Sequence, residues 1–235
     1  KFIMPNQTFT PANQSLFALF KQALSGDNQE DLTKGSIGRA AFLLSVPMVL
    51  EMMMESVFAI TDIFFVAALG SSAIAVVGLT EGIITLLYAV AIGLGMAVTA
   101  TVARRVGEDN IDGANHVAAQ TIWLGLGVAL AVGIPGSIYA IDLLQLMGAT
   151  KDVALQGEGY ASVMFGGCIS ILFLFLFNAI FRGAGDAKIA MKSLWLASGI
   201  NIVLDPILIF GWGPFPEMGL TGAAVATTIG RSIGV

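Results

Sequence analysis

Asp62 and Asp205 each lie inside a long apolar stretch, close to the end where that stretch should leave a membrane. A carboxylate at the centre of a bilayer costs about 2.5–3.5 kcal/mol on insertion scales. A chain that embeds several has a use for them, and binding of protons or cations is the chemistry a desolvated carboxylate offers. Glu51, Glu55 and Asp62 are spaced by four and seven residues. At about 100° per residue they fall within about 40° of one another, a single acidic stripe on one helix. Glu81, Thr85 and Tyr88 form a second polar stripe, and Ser198, Asn201 and Asp205 a third. Three apolar helices with one polar side each are expected to turn those sides toward a shared interior cavity rather than toward lipid.

Depth refines the expectation. By the helical rise, Asp62, Glu81 and Asp205 lie roughly 8–12 Å in from the outer ends of their runs, in one layer of the outer half of the membrane, with Glu51 and Glu55 deeper. Pro206 follows Asp205 directly, and having no N–H it leaves the carbonyl of Ile202 free. Asn201, Asp205 and that carbonyl make an all-oxygen environment suited to a hard cation such as Na+. The same acids, clustered and desolvated, are equally suited to carrying protons. Glu51, Glu55, Glu81, Tyr88 and Ser198 are candidates for the cavity wall or a proton relay. The plain alternative for Asp62 and Asp205 is an interhelical hydrogen bond, and for Glu51 and Glu55 a structural or packing role.

The elements that must hold these residues are membrane spans. Of the 235 residues 56% are hydrophobic and 11% charged, less than half the charge of an ordinary soluble domain, and mean hydropathy is +0.85. Runs of about 20 apolar residues occur at roughly 37–68, 73–103, 115–140, 158–181 and 188–211, and a sixth begins near Gly219 and is unfinished at Val235. The fold expected is therefore all-α and integral to the membrane, a six-helix transmembrane bundle with the sixth helix incomplete. Lys21, Lys34, Arg39, Arg104, Arg105, Arg182, Lys188 and Lys192 fall on one side of such a bundle and Lys151 on the other, so the N-terminus should be cytoplasmic. Tyr139 and Trp212 fall at outer ends, where amphipathic rings prefer to sit. Residues 1–36 read as a cytoplasmic segment. Within it residues 13–24 form a possible amphipathic helix, with Leu16, Phe17, Phe20 and Leu24 on one face, followed by a polar linker over 25–34. The chain begins at Lys1 and stops inside an apolar segment, which reads as a piece of a longer protein.

Other features carry less. The single cysteine, Cys168, can form no internal disulfide and lies in an apolar run. No spacing of metal-binding residues and no basic nucleic-acid surface is present. The Arg182-Gly-Ala-Gly-Asp186 segment lacks the strand–helix setting of a phosphate loop and reads as a tight cytoplasmic turn. His116 reads as solvated surface. Met52, Met53 and Met54 span too wide an arc to line one wall and read as ordinary packing. Gly222, Ala226, Gly230 and Gly234 fall every four residues, a small-residue stripe made for close helix packing, with Thr227 beside it.

The order of these motifs resembles the multidrug and toxic compound extrusion (MATE) family. Four stretches carry the likeness: Pro47 followed by Thr61–Val66 and Leu69-Gly70; Val102–Gly107; Phe181–Asp186; and Asn201–Ile209 leading to Gly219–Thr227. The resemblance implies one lobe, the N-terminal one, of a twelve-helix exporter with two six-helix lobes. It implies secondary antiport of cationic or lipophilic organic compounds against Na+ or H+, with no other cofactor. It also implies an ion site made of Asp62, Asn201, Asp205 and Thr227, and the missing C-terminal lobe as partner.

The expected protein is thus a multi-pass protein of the bacterial inner membrane, a transporter and not an enzyme, whose partners are lipid, small organic cations or amphiphiles and no nucleic acid. Two rival functions are weighed against this. A flippase for lipid-linked oligosaccharides would need Arg and Lys facing a pyrophosphate, whereas the interior expected here is acidic. An intramembrane aspartyl protease would use two embedded aspartates as a dyad.

Overall fold

The computed structural model describes residues 16–25 and 36–235, and every regular element among them is an α-helix. In chain order these are α1 (Leu16–Ser25), α2 (Ile37–Ala67), α3 (Ser71–Gly107), α4 (Ile111–Ile138), α5 (Ala140–Leu146), α6 (Lys151–Gly166), α7 (Cys168–Gly183), α8 (Ala187–Phe210) and α9 (Gly219–Gly234). Among the described residues five helical runs have the length and composition to cross a membrane: Ile37–Ala67, Ser71–Gly107, Ile111–Ile138, Lys151–Gly183 and Ala187–Phe210. Helix α9 supplies the sixth apolar element of an all-α membrane bundle.

Capping side chains explain where the helices begin. Ser36, Asn110, Thr150 and Asp186 each accept a bond from the backbone N–H three residues on, which satisfies a donor the helix cannot. The fourth run starts at Lys151 rather than near 158 because Thr150 caps a polar first turn that apolar character does not reveal. That run is bent at Gly167, between α6 and α7, where a Cβ would meet the Thr228 hydroxyl of α9 at 2.5 Å. Paired glycines are a common cause of such a bend. The third run ends at Ile138 rather than 140, one turn after Pro135, and the chain turns into α5, which its polar Asp142 and Gln145 hid from a search for apolar runs. Helix α8 stops at Gly211, whose φ of 70° lies in the left-handed region and whose missing Cβ leaves room for the backbone of Glu217.

The small-residue stripe places α9 flat on α8. A Cβ on Gly222 would stand 2.5 Å from the carbonyl oxygen of Leu208, and one on Gly230 would stand 2.7 Å from that of Ala197. This contact sets the height of Thr227 and Arg231 against Asn201. The principal core lies beside it, where Val76, Leu144, Tyr160, Phe165 and Ile209 from α3, α5, α6 and α8 pack together.

Helix α2 is the least covered span. It packs mainly on α8, and only Leu43, Pro47 and Val66 are buried along it. Met52 and Met53, read as packing residues, are 71% and 59% exposed. Their side of α2 is turned away from the bundle. In α1 the contact with α2 is made by buried Ala23 and by Gln22, whose amide oxygen accepts from Arg39 at 3.1 Å, while Phe20 is exposed. Residues 13–15 of the expected amphipathic helix, and the linker beyond Ser25, lie outside the described residues.

Candidate functional site

Asp205 is fully buried, and neither of its carboxylate oxygens has a hydrogen-bond partner. One turn earlier on α8, buried Asn201 donates from its amide nitrogen to the Thr227 hydroxyl of α9 at 3.0 Å, leaving its own Oδ1 unpartnered. Asp62 on α2 is half-buried, and its Oδ1 is shielded and also unpartnered. The two aspartates stand at a similar level. The Phe65 and Phe210 rings, which close the same ends of α2 and α8, meet edge to face at 6.2 Å, and the negative charge of Asp62 acts on Asp205.

The structure joins Asn201 to Thr227 by a hydrogen bond and sets Asp62 within electrostatic reach of Asp205, one turn along α8 from Asn201. Two carboxylates, an amide oxygen and a hydroxyl are hard donors, a set fitted to Na+ or to protons rather than to a transition metal. Among the described residues no three His, Cys, Asp or Glu side chains gather as such a metal would need. Two buried polar groups of the bundle carried no legible signal. Buried Tyr160 of α6 feels the charges of Asp62, Glu81 and Asp205, and buried Thr80 of α3 has an unpartnered hydroxyl.

The deeper acids differ from expectation in having basic partners. Both oxygens of Glu51 accept from Arg182 Nη1, at 3.0 and 3.1 Å. Arg182 is thus not a loop residue; it ends α7 and reaches across to α2, while the turn itself is made by Gly185 at φ 88°. Glu55 Oε1 accepts from Arg231 of α9 at 2.8 Å. The interior expected to be acidic therefore holds a buried guanidinium. Its carbon lies 5.2 Å from the Phe58 ring and 5.9 Å from the Tyr88 ring. A small cavity of about 10 Å³, at the lower limit for one water, is walled by Phe58, Ser198, Asn201, Thr227 and Arg231. Glu81 is half-buried and within the field of Arg231. Thr85, placed in the same stripe by its spacing, is exposed and donates to the carbonyl of Glu81 at 2.7 Å, so it faces away.

Residues 47–207, which include both aspartates and the Asn201 turn, match the MatE family profile. The chain belongs to the MATE family. Its members are transporters and not enzymes. This MATE chain is 30% identical over 200 residues to the FAD transporter of Shewanella oneidensis, covering 85% of the chain and 44% of that protein. It is 29% identical over 220 residues to the probable multidrug resistance protein NorM of Thermotoga maritima, covering 93% and 46%. Among solved structures it superposes with a TM-score of 0.79 and 34% identity on a MOP superfamily transporter from Pyrococcus furiosus, over 86% of this chain and 44% of that one. That protein is described as having a binding pocket of reverse polarity that suggests a different function. The chain spans about half the length of the relatives it matches, roughly their N-terminal half.

Proposed function

We propose that this chain forms the ion-binding lobe of a secondary antiporter that exports cationic or lipophilic organic compounds in exchange for Na+ or H+. The observation that carries the reading is Asp205. A carboxylate withdrawn from solvent with both oxygens unpartnered is held at a cost, and the unpartnered oxygens of Asn201 and Asp62 offer a cation further acceptors. Cation binding removes the repulsion between Asp62 and Asp205 and strengthens the packing of α2, the least covered span, on α8. When the ion leaves, the carboxylates separate and the cavity reopens to cargo. A second lobe supplies the other wall of the cleft. The acid pocket faces outward and the N-terminus inward across a bacterial inner membrane, which the Lys/Arg distribution favours.

A second reading concerns cargo alone. Arg231 in the cavity wall, together with the FAD-transporting relative, favours a compound that carries an anionic group. In the intact transporter, Asp205→Asn should abolish Na+- or pH-driven efflux of a fluorescent cation while leaving the protein in the membrane. Full, ion-coupled efflux by that variant would overturn the ion-site assignment.

A further inference from the structure

Arg231 is the group that the ion site leaves unexplained. It is 5% exposed. Nη2 donates to Glu55, but Nε and Nη1 have no partner, nor does the second oxygen of Glu55. A guanidinium taken out of water with two donors unsatisfied is among the costlier features a helical bundle can hold, and a Leu or Met of similar length would fill the space without that cost. Its position is intermediate. Arg231 stands one turn along α9 from Thr227, and the two share the wall of the small cavity with Asn201. On its other side is Glu55, whose side chain is 33% exposed and forms the open end of the pair. The charged and titratable groups around it are Glu55 and Asp62 on α2, Glu81 and Tyr88 on α3, and, beyond Asn201, Asp205 on α8. One positive charge thus stands among four carboxylates. Phe58 and Tyr88 flank it with ring faces that hold a cation without fixing its direction.

Building on the ion site proposed above, we propose that Arg231 is a tethered counter-cation shared between Glu55 and the Asp62–Asn201–Asp205 cluster. An organic cation arriving at Glu55 displaces Arg231 toward the cluster, which expels the coupling ion. A coupling ion arriving at the cluster drives Arg231 back onto Glu55 and expels the cargo. The two ligands then exclude each other through one side chain, and the exclusion is reciprocal because the coupling free energy is shared. Arg231 acts through its neighbours, as a positioning residue.

The test uses the full-length transporter in detergent, with equilibrium binding of Na+ at fixed alkaline pH, of protons in Na+-free buffer, and of tetraphenylphosphonium as the cargo probe. Arg231→Gln should tighten binding of the coupling ion about tenfold, the effect of removing one nearby charge from a partly desolvated site, and should abolish competition between ion and tetraphenylphosphonium. Glu55→Gln, which releases Arg231 toward the cluster, should weaken ion binding by a similar factor. Arg231→Lys should keep the competition. These opposite signs separate the proposal from general loss of stability, and should Arg231→Gln not fold, the Glu55→Gln and Arg231→Lys results decide. Shifts of the same sign in both variants, unchanged ion affinity, or a change only in the preference for anionic over cationic cargo would each overturn it. Asp205→Asn separates the two levels of the argument. If it loses ion binding while the Arg231 and Glu55 variants change nothing, the ion site stands and the relay falls; if it binds the ion as the parent does, both fall.

Discussion

The Asn201 amide is oriented by Thr227: its nitrogen donates to the hydroxyl at 3.0 Å, and its oxygen is left without a partner, one turn along α8 from the buried carboxylate of Asp205. Thr227 therefore acts on the cluster in two ways, as an oxygen of its own and as the group that decides which end of Asn201 a cation meets. An amide free to turn would present its N–H₂ to the site for part of the time, and a cation there would be repelled.

Thr227→Ala should accordingly weaken binding of the coupling ion in the intact transporter by about tenfold, the worth of one hydrogen bond to a charged centre. Thr227→Ser keeps the hydroxyl and should bind nearly as the parent protein does. Equilibrium ion titration of both variants checks this. Equal loss in the two would mean that the methyl group and its packing matter rather than the hydroxyl.

The ion pair between Glu51 and Arg182 ties the deep half of α2 to the end of α7, and the Trp195 indole adds a bond from α8 to the carbonyl of Leu50 at 3.2 Å. With side chains 12% and 21% exposed, the pair is shielded enough for its loss to be felt. A double-mutant cycle with Glu51→Gln and Arg182→Met should return a coupling energy of about 1–3 kcal/mol, read from thermal unfolding of the solubilised protein. Each single variant should be the worse for leaving a buried charge unpaired. Additive effects would show that the two groups meet without stabilising the helices.

What could be read from the sequence, and what could not, divides along a physical line. Asp62 and Asp205 stood out because a charge inside an apolar run is costly wherever the run packs, so its presence alone is informative. The glycines of α9 stood out for the same reason, since a four-residue spacing of small side chains has one main structural use. Arg231 was illegible because its meaning is relational. No acidic residue lies near it in α9, and only the fold brings it to Glu55, 176 residues away. Arg182 reads as a turn residue for the same reason, its partner being 131 residues distant. Thr85 shows the converse error. Spacing put it on the polar side of α3, but a threonine hydroxyl can bond the carbonyl four residues back on its own helix and needs no cavity.

The seam between α8 and α9 carries the last prediction. Thr227 and Arg231 reach Asn201 and Glu55 only because α9 lies against α8 at backbone contact distance, and Gly230 is where that approach is closest to the site. A side chain there would place its Cβ 2.7 Å from the Ala197 carbonyl oxygen and 3.1 Å from the Asn201 Cβ. Neither neighbour is the flexible end of a long side chain, so the helices must move apart. Gly230→Val should destabilise the lobe by about 1–3 kcal/mol, the usual cost of overpacking, and should also weaken ion binding, since the spread lengthens the path from Asn201 to Thr227. Gly199, on the same helix as Ala197, has nothing within 4 Å of its Cβ position, and Gly199→Val should cost far less. Thermal unfolding and ion titration on both variants separate the outcomes. If Gly230→Val lowers stability but leaves ion affinity untouched, α9 packing and the acid cluster are independent, and Thr227 is not the group that fixes the site.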